Sequence, residues 1–380
     1  MSSAPPLGVY VHWPYCARIC PYCDFNVTKA KGGEEPKALA RAIVADLEAQ
    51  AALTGPRELV SVFLGGGTPS LMDPAWAAEI VAAARRLWTP AGDLEITLEA
   101  NPTDAEAEAF AGFAQAGVTR LSLGLQSLDD AALTFLGRNH DAAAAIRATE
   151  AARAAFPRLS VDLIYARPGQ TPEAWAEELR RALALGAEHV SPYQLTIEAG
   201  TAFDRAVRRG TWAPPDPDTG AALFETTQAV LGAAGFEPYE VSNHARGQAA
   251  RSRHNLVYWR GWDYVGVGPG AHGRLTLAGQ RHATYAAPRA ADYIARVAET
   301  GAGVVTREPL SPREAAQERI LSGLRIAEGV ARDEVAALAI PETRIADLIG
   351  LGLLADDPAR LRATPAGRLV LDRLTSELAV

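Results

Sequence analysis

Short runs of strand-favouring residues alternate with longer alanine-rich stretches through the first half of the chain. The runs predict strands, and the stretches between them have the length and periodicity of helices. Repeated strand–helix units indicate a parallel sheet with right-handed crossovers. Six units predict an α/β fold, a partial (β/α)6 barrel of the TIM type rather than a closed barrel of eight units. The predicted strands are Gly8–Trp13, Leu59–Leu64, Leu94–Leu98, Arg120–Leu125, Leu159–Ile164 and His189–Ile197.

Helix boundaries are visible between several of these strands. Two helices have a proline near the start and acidic residues in their first turns, and a third ends at Gly117, a suitable C-cap. The predicted helices are Pro36–Leu53, Pro74–Trp88, Asp104–Ala116 and Pro172–Leu185.

The alternation ends after Gly200. A proline-rich segment, a helix over Gly220–Ala234, an aromatic stretch and a glycine-rich turn follow, and from Ser311 helices precede a short strand at Leu361–Thr364. That last order predicts a C-terminal α+β module of the winged-helix type. We therefore predict three regions: the barrel over 1–235, a connecting region over 236–300 and the C-terminal module over 301–380.

Charge and hydropathy narrow the class of protein. The chain has 37 Lys and Arg against 45 Asp and Glu, a net charge of -8 without a basic block, so we expect no nucleic-acid partner. No apolar run is long enough to span a bilayer, and the first residues lack the basic start and long apolar stretch of a signal peptide. We therefore expect a cytoplasmic protein.

All three cysteines lie in one loop directly after the first predicted strand, as Cys16-Ala-Arg-Ile-Cys20-Pro-Tyr-Cys23. Three thiolates at this spacing can bind three irons of a [4Fe–4S] cluster and leave the fourth iron open. An open iron can bind the amine and carboxylate of an amino acid, which four-cysteine sites do not allow. A CxxC redox pair at Cys20 and Cys23, and a zinc site completed by His12, are the weaker alternatives.

Glycine or polar residues also follow the other predicted strands. In α/β barrels the carboxyl ends of the strands carry the chemistry, so these residues predict one ligand site. Each has a structural explanation when taken alone, but their succession at every strand end favours a site. They are Gly65–Ser70, Glu99–Pro102, Gln126, Ser127, Arg138, Asp162, Tyr165, Tyr193 and Gln194.

The cysteine motif and the Gly-Gly-Gly-Thr-Pro-Ser segment at 65–70 resemble the radical S-adenosylmethionine (SAM) superfamily. The Glu-Ala-Asn-Pro segment at 99–102, the Leu-Gly-Leu-Gln-Ser segment at 123–127 and the Asp-Leu-Ile-Tyr segment at 162–165 narrow the resemblance to the oxygen-independent coproporphyrinogen III oxidase-like family. The resemblance extends over nearly the whole chain.

Two branches of that family are distinguishable by sequence. The dehydrogenase branch typically has an N-terminal extension and a fourth cysteine two residues after the third, where this chain has Phe25. The heme chaperone branch typically lacks both and carries the motif HNxxYW, found here from His254 to Trp259. The resemblance therefore implies a heme chaperone, with dehydrogenase activity absent. The alternatives are an oxygen-independent coproporphyrinogen III dehydrogenase and a radical SAM enzyme acting on another tetrapyrrole.

The family also implies roles for individual residues. Cys16, Cys20 and Cys23 would bind the [4Fe–4S] cluster, and His254 would take part in heme binding, although its aromatic neighbours are equally explained by packing. One departure is visible: Ala166-Arg167 stands where the family usually has Gly-Leu, which leaves the pocket shape open. The residues expected around SAM are Tyr15, Gly66, Gly67, Thr68, Glu99, Gln126, Arg138 and Asp162.

Partners follow from the same resemblance. We expect the chain to bind SAM and heme and to deliver heme to an acceptor hemoprotein, such as a respiratory protein at the inner membrane. Contact with that membrane would be peripheral and transient, because the chain has no anchor. A homodimer and cleavage of SAM both stay open.

Overall fold

The computed structural model describes residues 5–30 and 32–379, so residues 1–4, residue 31 and Val380, which belong to the predicted barrel and C-terminal regions, lie outside the described residues. The strands are β1 (Leu7–Trp13), β2 (Tyr15–Cys16), β3 (Thr28–Lys29), β4 (Glu58–Gly66), β5 (Thr89–Ala100), β6 (Arg120–Gln126), β7 (Arg158–Tyr165), β8 (His189–Gln194), β9 (Glu237–Pro238), β10 (His244–Ala245), β11 (Asp263–Val267), β12 (His272–Leu277), β13 (Gln280–Ala286), β14 (Val304–Pro309), β15 (Val330–Ala331) and β16 (Arg360–Leu361).

Helices connect most of these strands. They are α1 (Glu35–Thr54), α2 (Pro74–Leu87), α3 (Asp104–Ala107), α4 (Phe110–Gln115), α5 (Asp130–Phe135), α6 (Ala142–Ala155), α7 (Pro172–Ala184), α8 (Ala202–Arg208), α9 (Pro217–Ala233), α10 (Arg253–Trp259), α11 (Ala290–Thr300), α12 (Pro312–Gly323), α13 (Glu342–Gly350), α14 (Pro365–Leu369) and α15 (Leu371–Leu378).

The six predicted strands are present as β1 and β4 to β8, which lie side by side in chain order and pair in parallel. They form the partial (β/α)6 barrel, and their apolar side chains pack against the surrounding helices in one core. Strand β8 ends at Gln194 rather than at the predicted Ile197, because its partner β7 ends at Tyr165, which pairs with Gln194.

One predicted helix is wrong in its continuity. The helix expected over Asp104–Ala116 is divided into α3 and α4, with the interruption at Glu108 and Ala109. The buried carboxylate of Glu106 accepts hydrogen bonds from the Asn101 backbone N–H and the Ser70 hydroxyl. The Ser70 contact, from 36 positions away, fixes the first turn independently of the rest, and the alanine-rich sequence gives no sign of it.

The sheet continues beyond the barrel on both sides. On the outer side of β1, the strand β11 adds in parallel and β12, β13 and β14 follow as antiparallel strands. On the outer side of β8, the short strands β10 and β9 are antiparallel. Residues 236–300, predicted to connect the two regions, thus supply five strands to this sheet of twelve.

The C-terminal module has its own apolar core. Helices α12, α13 and α15 pack around this core, and β15 pairs with β16 as a two-stranded antiparallel wing. Helix α12 begins with a capping box, in which Ser311 and Glu314 bond each other's backbone N–H groups. The arrangement of helices and wing is the winged-helix type that the sequence predicted.

Candidate functional site

A cavity of about 440 Å³ lies at the carboxyl ends of the barrel strands. It includes the three cysteines and seven of the eight residues predicted around SAM, so residues far apart in the chain meet in one place. They are Cys16, Cys20, Cys23, Gly66, Gly67, Thr68, Glu99, Gln126, Arg138 and Asp162.

The three cysteines are free thiols close enough to influence each other's ionisation. Burial raises the pKa of the Cys16 thiol and raises the pKa of Cys23 to about 11, so both are protonated at neutral pH without a bound cation. Among the described residues, no three His, Cys, Asp or Glu side chains are arranged to hold a single metal ion. In a cubane cluster each cysteine binds a different iron, so three separated thiols lining one cavity fit that group.

The loop that carries the cysteines is fixed by its backbone neighbours. The Asn26 amide donates to the carbonyls of Pro269 and Pro288, and the carbonyl of Asn26 bonds Nε2 of His12. A Cβ added at Gly270 would lie 2.3 Å from the Asn26 amide nitrogen. The glycine-rich segment after β11 therefore supports the cysteine loop. This close contact requires a residue without a side chain at Gly270.

Arg138 links the loop to the barrel rim. Its guanidinium donates to Sγ of Cys20 at 3.3 Å, to the carbonyl of Gly124 at 3.0 Å and to the side chain of Asn101 at 2.5 Å. Arg138 therefore brings a positive charge to the edge of the cysteine loop. Asn101 also donates to the hydroxyl of Thr68, so one chain of hydrogen bonds joins three strand ends.

The turn after β4 brings bare backbone to the cavity. Gly66 has a φ of 109°, and a Cβ added at Gly67 would lie 2.8 Å from the Tyr15 carbonyl oxygen. The N–H of Thr68 donates to that same oxygen at 2.8 Å. A side chain at Gly67 would require movement of the backbone that leads into the cysteine loop, and a side chain at Gly66 would collide with the ring of His12.

Two carboxyl groups face the cavity with raised pKa values. Burial raises the pKa of Glu99 to about 8, and the neighbouring Asp162 adds to this rise. Burial also raises the pKa of Asp162 to about 6, against hydrogen bonds from Ser191 and Ser122 that lower it. A ligand ammonium or sulfonium would favour their charged forms, so the pair is suited to a cationic ligand.

Tyr15 is the predicted SAM residue whose side chain does not reach the cavity. Its hydroxyl donates to Glu35 at 2.7 Å, and its ring packs edge-on against Trp13. Only its carbonyl, through Thr68, touches the site. Gln126 does reach the cavity, from a backbone with a φ of 64° that is unusual for a residue other than glycine.

Sequence reasoning missed several polar residues deeper in the barrel. They occupy alternate positions in otherwise apolar strands, and all line the cavity. Since alternate residues of a strand share one face, that periodicity could have identified them. They are Thr97 in β5, Ser122 in β6, Ser160 in β7, and His189 and Ser191 in β8.

The HNxxYW motif forms helix α10, which lies beside β4. Its His254 is 1% exposed, and its ring stacks on Phe63 at 4.8 Å. Nδ1 bonds the hydroxyl of Ser61 at 2.9 Å, and Nε2 bonds the hydroxyl of Tyr258 at 2.7 Å. Burial lowers the pKa of His254 to about 3, so the imidazole is neutral. The structure does not bring His254 together with the residues predicted around SAM.

Helix α10 also separates two cavities. Ser252 and Asn255 line the barrel cavity, while Tyr258 and Trp259 line a second cleft of about 730 Å³ against the C-terminal module. His254 lines neither of them. The motif therefore faces both cavities through different side chains.

The departure at Ala166-Arg167 lies outside the barrel cavity. Neither residue lines it. Arg167 is buried and pairs with Glu178 of α7, which also accepts a hydrogen bond from Ser127. Ala166 has a φ of 59°, a left-handed conformation that glycine adopts more readily. The new charge is thus neutralised behind the rim.

Comparison with known proteins agrees with this architecture. Residues 10–182 match the model of the radical SAM superfamily, and residues 310–370 match the HemN C-terminal domain. The solved structure of coproporphyrinogen III oxidase (HemN) from Escherichia coli is similar with a TM-score of 0.82 at 21% identity, covering 99% of this chain and 91% of that one. Barrel, cysteine loop and C-terminal domain together define a radical SAM protein of the HemN-like fold.

Sequence relatives define the family more narrowly. The heme chaperone HemW of Mycobacterium tuberculosis H37Rv is 39% identical over 98% of this chain and 95% of its own length. The heme chaperone HemW of Escherichia coli is 39% identical over 73% of this chain and 72% of its own length. The bovine mitochondrial radical S-adenosyl methionine domain-containing protein 1 is 40% identical over 98% of this chain and 87% of its own length. The chain belongs to the HemW heme chaperone family of radical SAM proteins.

Proposed function

We propose that the protein is a heme chaperone that binds a [4Fe–4S] cluster, SAM and heme, and delivers heme to an acceptor hemoprotein. The observation that carries the proposal is the similarity to proteins named heme chaperone HemW over 98% of the chain. The presence of Phe25 at the fourth-cysteine position, where its ring is 62% exposed, supports the chaperone over the dehydrogenase.

In this proposal Cys16, Cys20 and Cys23 hold the cluster, because all three thiols line one cavity beside Arg138. The bound cluster would supply an open iron for the amine and carboxylate of SAM, and an electron source. Gly66, Gly67 and Thr68 offer backbone to the ligand. The cluster and SAM then have a structural or regulatory role, such as control of heme release or of oligomerisation.

In this proposal the residues that line the barrel cavity bind SAM and exclude water from it. Glu99 and Asp162 lie where a cationic ligand would be stabilised, and Gln126 lines the same wall. The side chain of Arg138 donates hydrogen bonds to Cys20 and Asn101, so it positions the cysteine loop as well as the ligand. His254 and its motif neighbours take part in heme binding.

The site of action is also a proposal. Among the described residues, no helix is both long and apolar enough to cross a bilayer. We propose a cytoplasmic protein that reaches a membrane-bound acceptor by transient peripheral contact. The acidic net charge of -8 disfavours nucleic acid as a partner.

The test begins with anaerobic purification and cluster reconstitution, followed by heme titration and gel filtration of the complex. We expect the wild type to retain heme and His254→Ala to bind it more weakly. The control variant His282→Ala, on β13, should retain heme as the wild type does. Mixing with an apo-hemoprotein should then transfer the heme. The elution volume reports whether a homodimer forms.

The opposite result is equally informative. If cluster-loaded protein neither retains heme nor passes it to any apo-hemoprotein, the chaperone is refuted. Turnover of coproporphyrinogen III with SAM and a reductant would then establish the dehydrogenase instead.

A further inference from the structure

The interior of the barrel is polar below the residues expected around SAM. In closed barrels of eight units, branched apolar side chains fill the interior. Here four neighbouring strands each contribute a polar residue that lines the barrel cavity at a deeper level than the strand ends. These residues define what we call the inner chamber. They are Thr97 in β5, Arg120 in β6, Ser160 in β7 and His189 in β8.

The inner chamber and the carboxyl groups of the cavity lie at different levels of the barrel. Thr97 comes two residues before Glu99 on β5, and Ser160 comes two residues before Asp162 on β7. Two residues of a strand correspond to about 7 Å. The chamber therefore lies beneath the place where a ligand would contact Glu99 and Asp162.

Two side chains of the inner chamber have polar atoms without a partner. Thr97 is 1% exposed and His189 is 2% exposed, so neither side chain reaches bulk water. Oγ1 of Thr97 and Nδ1 of His189 form no hydrogen bond with any described residue. An unpaired buried polar atom costs free energy, and native proteins usually satisfy it with a partner. The two atoms therefore point to a bound molecule in the chamber.

The hydrogen of His189 can be located from its neighbour Tyr239. The Tyr239 hydroxyl accepts from the Ser252 N–H and from the Asn255 amide. Its own hydrogen is therefore donated to Nε2 of His189, 2.8 Å away. Burial and the charge of Arg120 hold the pKa of His189 well below its usual range, so the ring is neutral. A neutral imidazole whose Nε2 accepts carries its hydrogen on Nδ1, so the unpaired atom of His189 is a donor.

The other groups of the inner chamber add a further donor and a positive charge. The Ser160 hydroxyl accepts from Arg120 at 3.0 Å, so its own hydrogen can be donated to a ligand. Arg120 pairs with Glu95, which also accepts from Arg158. Because Glu95 is shared between two guanidinium groups, the charge of Arg120 is only partly neutralised. Hydroxyl and imidazole hydrogens beside a guanidinium favour a ligand that accepts hydrogen bonds and carries a negative charge.

The chamber also has an apolar surface. Phe63 is the register partner of Thr97 on β4, and it lines the same cavity. An apolar ring beside the donors favours an anion with a short alkyl group over an inorganic anion. The whole cavity measures about 440 Å³, and the chamber is only its deeper part, so the ligand has to be small.

We propose that the inner chamber binds a small aliphatic carboxylate, with the Thr97 hydroxyl and the Nδ1 hydrogen of His189 as donors and Arg120 as the countercharge. This site is additional to those proposed for the cluster, SAM and heme, and it does not depend on heme delivery. It places a small acid inside the barrel, beneath the residues expected around SAM.

The experiment uses the anaerobically reconstituted protein with acetate as the probe. Sodium acetate replaces sodium chloride at constant ionic strength, and saturation transfer from the protein to the acetate methyl group, observed by NMR, gives the dissociation constant. We expect saturable binding to the wild type. Thr97→Val should weaken it at least roughly tenfold, as for the loss of a hydrogen bond to a charged group. Valine has the shape of threonine, and Oγ1 of Thr97 has no protein partner to lose.

A matched control and a second variant complete the test. Thr149 is a buried threonine of α6 that lines neither cavity, so Thr149→Val should bind acetate as the wild type does. Ser160→Ala removes a different donor from the chamber and should also weaken acetate. Circular dichroism checks that each variant is folded.

Two results would overturn the inference. Absence of saturable acetate binding in the wild type would mean that water satisfies the two buried atoms. Equal affinity in the wild type and in folded Thr97→Val would place the acetate elsewhere on the protein. If Thr97→Val does not fold, Ser160→Ala decides in the same way. Neither result bears on the chaperone, whose test measures heme retention and transfer.

Discussion

Replacing Arg167 by leucine restores the residue usual in the family, yet we expect it to destabilise this protein. The Arg167 guanidinium is 9% exposed and its partner Glu178 is 7% exposed. Loss of the arginine leaves a buried carboxylate without its cation, which costs roughly 3–5 kcal/mol when a buried pair is broken. Glu178 keeps hydrogen bonds from the Leu128 backbone N–H and the Ser127 hydroxyl, so we expect the lower end, about 3 kcal/mol.

The assay is urea unfolding monitored by circular dichroism, with Glu178→Leu and the double variant completing a thermodynamic cycle. The double variant Arg167→Leu with Glu178→Leu should recover most of the loss, because no buried charge remains. Heme binding by folded Arg167→Leu should equal that of the wild type, since Arg167 lines neither cavity. A loss of less than about 1 kcal/mol in Arg167→Leu, or no recovery in the double variant, would refute this reasoning.

Three other predictions address the site and its supports. Ala166→Gly should raise the free energy of unfolding, measured in urea, by up to about 1 kcal/mol. Relief of roughly 1–2 kcal/mol of left-handed backbone strain outweighs roughly 0.5–1 kcal/mol from the greater entropy of the unfolded chain. A lower free energy of unfolding would contradict the strain. Asn26→Ala should lower the iron and sulfide retained per chain after reconstitution, with circular dichroism unchanged; full retention would show that the Asn26 contacts do not hold the loop. The pKa of Glu99 is raised to about 8 in the folded chain without ligands, against 4.5 in the unfolded chain. Between these pH values the folded chain holds a proton that the unfolded chain has released. The free energy of unfolding should therefore fall as pH rises from about 4.5 through about 8. Glu99→Gln should flatten that part of the urea-midpoint profile, and an unchanged slope would count against the raised value.

Much of the fold was predictable because short-range patterns encode it. The six barrel strands were identified from apolar runs, and the parallel order followed from the helices between them. The division of α3 from α4 was not predictable, since one of the Glu106 contacts that fix it comes from Ser70, 36 positions away. The length of β8 likewise depended on where its neighbour ends.

The residues of the site were predictable where a short motif specifies them. Cysteine spacing indicated an iron–sulfur site, and strand ends located the polar residues that now line one cavity. The side chain of Tyr15 could not be placed this way, because its direction depends on Glu35 and Trp13 rather than on its motif. Alternation along the strands could have identified the deeper polar residues, such as Ser122 and Ser160, but only the strand register shows that these two lie side by side.

By itself the sequence determined the six-unit barrel and the three thiols in one loop, because these depend on local periodicity and spacing, and its motifs resemble those of a heme-associated family. Only the tertiary structure decided that His254 is enclosed, that Tyr258 borders the second cleft and that the charge of Arg167 is neutralised by Glu178. Those features depend on which side chains meet in space: Arg167 and Glu178 are 11 positions apart, and Ser61 and His254 are 193 positions apart. Burial and pairing are properties of such contacts, and a residue's own neighbours in sequence do not specify them.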